Sequence, residues 1–332
     1  MPNTMLWSHL PLDIGRHILE DVALDSDKKR VAFELLLLST TVRDWLDPIL
    51  HTSLHLSSQT TSLHTFANAV RARGDAGFYT SNVKSLILDV RQDDCQADAS
   101  TDAEEEYVAL QDARTILQAC AGVSNLAWWS RSQSLPPLPR PTYIDTDFAT
   151  APSLQSLSLR DLKNHDLPLL PPSVSLLSLN SDDIYRLDWA MLFDRCPCLH
   201  TLILEFPLHN MDFASAHQPG VPPSIADIVR DIRMCAPASL GRIIVRCDLH
   251  LEMDRPFLGG LVEQADPRVV VVPFNQNPAW SPLAVFEKKL PGLVYFLRDA
   301  SRHWESDWVD AKGEKLWERV QRWREMNPIP SA

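Results

Sequence analysis

The sequence predicts an α/β chain in which a short module of three helices precedes a solenoid of stacked strands in one parallel sheet, with a helical tail as its cap. Three observations predict this. Residues 10 to 50 carry three helical apolar patterns in close succession; six segments after residue 80 share one extended apolar pattern; and the region from Leu293 to Met326 returns to helical spacing.

The first helical pattern runs from Leu12 to Val22, with Pro11 at its start, where a missing N–H costs little, and with Ile14, Ile18, Leu19 and Val22 at helical spacing. The charged turn Asp25 to Arg30 separates it from the second pattern, Val31 to Leu38. After Ser39, Thr40 and Thr41 the third holds Val42, Trp45, Leu46 and Leu50, with Trp45 expected in the core. Three helices of this size bury little surface alone, so they must dock on the rest of the chain or on a partner.

The extended pattern is apolar, two variable, apolar, variable, apolar. It begins at Val83, Val123, Leu154, Val174, Leu199 and Leu240, at intervals of 40, 31, 20, 25 and 41 residues. That is the strand half of a leucine-rich repeat, in which each unit buries its apolar face only against its neighbours. The long intervals must hold helices, expected over Tyr107 to Ala121 and Ile225 to Met234, with another around Trp189 to Phe193. The acidic stretch 92–106 is expected as an exposed loop entering the first of these. A seventh, degenerate strand over Arg268 to Phe274 caps the sheet.

The tail pairs Trp304 with Trp308 and repeats Leu316, Trp317, Val320 and Trp323 at three or four. Its aromatic face needs a cover. It packs across the open end of the solenoid, or it is presented to a partner or membrane surface as a basic amphipathic helix; Glu314, Glu318 and Glu325 count against the second. The domains are then 1–60, 61–275 and 276–332.

Leu10-Pro11, Ile14, Ile18-Leu19, the Leu35 to Leu38 run and Val42 to Trp45 resemble an F-box over about 40 residues, and with the repeats the whole chain resembles the F-box and leucine-rich-repeat proteins. The resemblance implies that the helices dock onto the adaptor subunit of a cullin-type (SCF) ubiquitin ligase while the repeats hold a substrate protein. Carried over, Leu10, Pro11, Ile14, Ile18, Leu37, Val42 and Trp45 divide between the module's core and the adaptor surface. The alternative is a solenoid interaction scaffold whose first helices are only a structural cap.

Strand geometry, without the family, defines a candidate target face. Side chains alternate along a strand, so if Leu157 and Leu159 point inward, Arg160 points away, and the same register places Asp89, Trp129, Asn180, Glu205 and Arg246 with it. A mixed polar row with one large aromatic has the composition of a protein-binding surface, and equally that of solvated positions.

Other classes are set aside. Lys and Arg total 31 against 43 Asp and Glu, a net charge of -12 that opposes nucleic-acid binding. No apolar run approaches the ~20 residues that cross a bilayer, and no signal-peptide pattern opens the chain, so a cytoplasmic or nuclear monomer within a hetero-complex is expected. Six cysteines are expected as reduced thiols. Cys196-Pro-Cys198 lacks metal-ligand spacing, and His51 and His55 lie where an edge strand is expected. Asp93 and Asp94, like Asp182 and Asp183, read as solvated loop residues. With 10 glycines and no phosphate loop, nucleophile elbow or zinc-protease motif, the chain is expected to be non-enzymatic and to need no cofactor or metal.

Overall fold

The computed structural model describes residues 11–24, 29–75, 77–90, 102–129, 151–160, 170–180, 184, 187–206, 225–247, 260–261, 266–273, 293–295, 308 and 314–327. It is a mixed α/β structure built on one eight-stranded, all-parallel sheet whose strands lie side by side in sequence order. The strands are β1 (Ser53–Ser57), β2 (Ser85–Asp89), β3 (Asn125–Trp129), β4 (Ser156–Arg160), β5 (Leu176–Asn180), β6 (Thr201–Phe206), β7 (Arg242–Cys247) and β8 (Val269–Pro273). All six segments with the recurring pattern enter this sheet, and the valine run before Pro273 forms β8.

The pattern works because every one of its apolar positions is buried. Val83, Val123, Leu154, Val174, Leu199 and Leu240 fill the turns before the strands, and the two apolar strand positions of each copy, such as Leu157 and Leu159, fill one face. Register puts Leu86, Leu126, Leu157, Leu177, Leu202 and Ile243 in a single row and Leu88, Trp128, Leu159, Leu179, Leu204 and Val245 in the next. The turns repeat as well. Each of the carbonyls of Thr52, Lys84, Ser124, Gln155, Ser175 and His200 accepts two successive backbone N–H groups from the following strand, at 2.8 to 3.1 Å. Six equivalent rungs hold six unequal intervals in register.

Helices cover this first face: α4 (Ser62–Ala72), α5 (Gly77–Asn82), α6 (Asp102–Ala119), α7 (Trp189–Arg195) and α8 (Ile225–Cys235), whose Leu63, Ala67, Tyr79, Ile116, Leu192, Phe193, Val229 and Ile232 share one core with the leucine rows. Asp188 starts α7 by accepting the Met191 N–H at 3.0 Å. The expected acidic loop is corrected in part: α6 begins at Asp102, so Asp102, Glu104, Glu105 and Glu106 fall within the first turns of a helix. α4 and α5 lie outside the helices expected from the sequence, although Leu63, Phe66, Ala67 and Val70 of α4 stand at helical spacing.

The N-terminal module holds α1 (Leu12–Leu24), α2 (Lys29–Leu35) and α3 (Thr40–Leu50), packed on one another around Ala23, Ala32, Leu46 and Leu50. Two expectations change here. The second helix ends at Leu35, and residues 36 to 38 form a tighter turn with bonds from Leu36, Leu37 and Leu38 N–H to the carbonyls three residues back. Ser39, whose hydroxyl accepts the Val42 N–H at 3.1 Å, caps α3 and fixes that break. Trp45 is half-buried, and Leu46 and Leu50 occupy the core instead.

The tail is corrected more strongly. Only α9 (Leu316–Met326) is an α-helix among its described residues, and Val294 pairs in parallel with Val271, extending the sheet edge. The helix does not lie across the sheet's end; Leu316 and Val320 join Trp308, Ile203, Ile244, Val270 and Val272 in a second apolar cluster on the opposite face of the sheet. Arg324 donates to the Pro267 and Val269 carbonyls, and Arg242 to Gln321. Residues 92–101, Trp304 and the loop carboxylates Asp182 and Asp183 lie outside the described residues. No helix among those described is long and apolar enough to cross a membrane.

Two measurements test this packing. A Cβ at Gly122 would collide with the Thr80 carbonyl, a backbone atom that cannot swing aside, so Gly122→Ala is expected to cost about 1–3 kcal/mol, read from the urea midpoint. Burial pushes the Asp266 carboxyl up, but hydrogen bonds from the Arg268 side chain and backbone, with the charges of Arg268 and Arg233, outweigh it and hold the group below its ordinary value. A depressed carboxylate stabilises the fold fully above its unfolded value and loses that contribution as pH falls through its folded one. Acid titration below about pH 4 should therefore destabilise the native chain more steeply than Asp266→Asn.

Candidate functional site

Two places carry more chemistry than the fold requires. The first is the row of strand-end residues on the sheet's second face. Alternation along each strand turns them away from the leucine rows, and parallel register aligns Asp89, Trp129, Arg160, Asn180, Glu205 and Arg246 across six neighbouring strands. The six residues that strand parity groups together do sit in one line. Their expected place at an open surface is corrected: Asp89, Trp129, Glu205 and Arg246 are buried, and Arg160 and Asn180 are half-buried. The physical reason is that Trp129 belongs to the same second-face apolar cluster as Trp308, Leu316 and Val320, so this side of the sheet is interior too.

Charges placed there must be paired. Glu205, 1% exposed, is the hub. Its Oε2 accepts from Asn180 Nδ2 at 3.0 Å and from Arg160 Nη2 at 3.4 Å, and its Oε1 from Arg246 Nη1 at 3.4 Å. Four consecutive strands are thereby tied through one carboxylate. The Arg160 guanidinium carbon lies 4.4 Å from the Trp129 ring centroid, and the His55 ring meets the Trp129 ring edge-on at 5.8 Å. This arrangement can hold strands together and orient a stacked cation; it presents little surface to a large partner.

The second place is the N-terminal module. Leu10 lies outside the described residues. Pro11 is exposed at the head of α1, where its carbonyl accepts the Ile14 and Gly15 N–H groups. Ile14 and Ile18, one turn apart on α1, are exposed, as is Leu37 in the turn after α2; Val42 and Trp45 are half-buried, with the Arg16 guanidinium 5.9 Å from the Trp45 ring. The structure adds Leu12, Val31 and Phe33, which the resemblance did not single out, and Leu38, which it named only within the Leu35 to Leu38 run. Of the eleven exposed large apolar side chains among the described residues, seven fall in this module, so the excess is local rather than scattered. The available signal was arithmetic: a stretch this short carries more large apolar residues than a three-helix core can enclose.

Burial pushes the Cys196 thiol up to about 11, partly opposed by the charge of Arg195, and the Cys120 thiol up to about 12, so neither is a ready nucleophile. Cys198 is exposed. His51 closes the C-terminus of α3 and His55 lies in β1, so the two share no helical face. No group of three or more His, Cys, Asp or Glu side chains gathers as a metal site among the described residues. Compared with protein-family models, with curated proteins and with solved structures, the chain gives no match.

Glu205→Ala leaves two guanidinium groups facing a lost carboxylate and is expected to cost about 3–5 kcal/mol, whereas Asn180→Ala, which removes one neutral donor, is expected to cost about 1 kcal/mol. Urea unfolding followed by tryptophan fluorescence separates the two; equal midpoints would remove Glu205 from the centre of the network.

Proposed function

We propose that the protein is a non-catalytic receptor, the substrate-recognition subunit of a cullin-type ubiquitin ligase, with its N-terminal helices docking the adaptor and a leucine-rich-repeat solenoid holding the target. The observation that carries the reading is the exposed apolar surface of the module: Leu37 is 80% exposed, Leu12 70% and Leu38 67%, beside Ile14, Ile18, Val31 and Phe33. Apolar side chains of this size left in water by so short a segment are stabilised by a partner that covers them. The residue pattern that resembles an F-box supplies the identity of that partner, and the consecutive parallel strands supply the repeat scaffold.

A second reading, a solenoid scaffold capped by its first helices, is favoured by the ion pair from Asp47 on α3 to Arg73, which ties the module to the first strand-and-helix unit. A cap, however, turns its apolar side chains toward the sheet it covers. Here Ile14, Ile18 and Leu37 face solvent, which fits docking better than capping. The strand-end row from Asp89 to Arg246 serves the receptor reading as framework, and the target is held by surfaces outside it.

Affinity purification of the full chain from cells is expected to recover the adaptor and cullin subunits. Ile18→Glu with Leu37→Glu should abolish that recovery while leaving the circular dichroism spectrum unchanged, because Leu37 is 80% and Ile18 42% exposed and neither belongs to the module's buried cluster. A well-folded double variant that still recovers the adaptor would refute the docking assignment, and a native chain that recovers none would favour the scaffold.

A further inference from the structure

We infer that Asp47, His51 and Arg73 form a bracket that fixes the orientation of the N-terminal module on the sheet, so that the two move as one body. The bracket holds whether or not the module docks an adaptor. Only His51 and Thr52 separate α3 from β1, and a connection this short has few torsions in which to store a swing. Those torsions are restrained locally. The His51 N–H donates to the Asp47 carbonyl at 3.2 Å, the Thr52 N–H to the Ile49 carbonyl at 3.1 Å, and the Thr52 carbonyl accepts from Lys84 and Ser85 as the first rung of the sheet.

Apolar packing does not by itself lock the two bodies, because the buried cluster of the module, Ala23, Ala32, Leu46 and Leu50, is separate from the cluster of the sheet. What crosses the boundary is polar and aromatic. Asp47 Oδ2 accepts from Arg73 Nη2 at 3.0 Å across 26 residues of chain, and Asp47 Oδ1 lies 3.1 Å from His51 Nδ1. The Arg73 guanidinium carbon is 3.3 Å from the Phe78 ring centroid and 5.4 Å from that of Tyr79. The His51 ring meets Phe78 edge-on at 5.3 Å and Tyr79 at 5.7 Å, with Phe66 of α4 at 6.1 Å.

Three elements thus converge on one arginine: α3 supplies the carboxylate, α4 leads into Arg73, and α5 supplies the rings. An isolated surface ion pair holds little, since two long side chains must be ordered to make it. Here stacking has already ordered the guanidinium, and Asp47 is anchored in a helix, so both partners meet at small additional entropic cost. The bracket therefore acts on orientation, which a weak but geometrically specific contact can set.

The test reads distance. Spin labels are placed at His17→Cys on α1 and Gln118→Cys on α6, both exposed, in a full chain whose Cys95, Cys198 and Cys235 are serine. Double electron–electron resonance is expected to give a single narrow peak with the bracket intact. Arg73→Gln and Asp47→Asn should each replace that peak with a broad distribution while the chain still melts cooperatively. A broad distribution in the bracketed chain, or a narrow peak that survives in a folded variant of either kind, overturns the proposal.

Discussion

Parallel pairing without slip is the constraint on which everything else in this chain depends. A strand of five residues cannot bury itself, and its side chains alternate, so its register against the next strand decides which of them meet the leucine rows and which the opposite face. The sixfold carbonyl rung at the turns sets that register independently of how long the excursion between strands is. This is why intervals from 20 to 41 residues can serve one sheet: the excursion varies, and the residues on either side of it do not.

A sheet that is interior on both sides constrains its polar residues, as the second face shows. Parallel sheets are generally covered twice, and here the tail brings Trp308, Leu316 and Val320 onto the side the helices do not cover. Arg160, Glu205 and Arg246, fixed by alternation on that side, lose water and pair within their own row, while the Ser158 and Ser178 hydroxyls, buried on the same face, make no hydrogen bond among the described residues. Arg160, Asn180, Glu205 and Arg246 are spaced so that one carboxylate serves three donors on neighbouring strands. The ladder that aligns leucines on one face aligns opposite charges on the other.

Much of this could be read from residues alone, because alternation and repeat spacing are local. Leu154, Leu157 and Leu159 announce their strand without help from anything distant, and the same parity put Arg160 beside Asn180 and Glu205. Burial of that row could not be read, since parity says which side chains share a face and nothing of what lies over it. α4 and α5 are hidden for a different reason: the stretch from Ser57 to Asn82 is rich in Ser, Thr and Asn, which masks the helical spacing of Leu63, Phe66, Ala67 and Val70, and α5 is one short turn held by Tyr79 meeting the sheet. Around Leu293 the error ran the other way, as apolar spacing suited to a helix was claimed by pairing with Val271. In the module the F-box resemblance pointed to Ile14, Ile18, Leu37 and the run that holds Leu38, yet the surrounding surface of Leu12, Val31 and Phe33 emerged only when exposure was known.

The two ends of the chain treat apolar surface oppositely, and the difference bears on function. At the C-terminal end aromatic side chains are drawn in: Trp308 is buried against the sheet, its ring 5.5 Å from that of Trp317, and Trp323 meets Tyr295 at 5.2 Å. At the N-terminal end comparable side chains are left in water although the sheet's first strand lies two residues from α3. Folding onto the sheet was open to the module, as it was to the tail; instead Asp47 and Arg73 hold it by a polar joint that leaves its apolar residues facing outward. A chain that encloses one end and leaves apolar side chains exposed at the other offers a surface that a second molecule would stabilise by covering it, which is the physical argument behind the proposed receptor role.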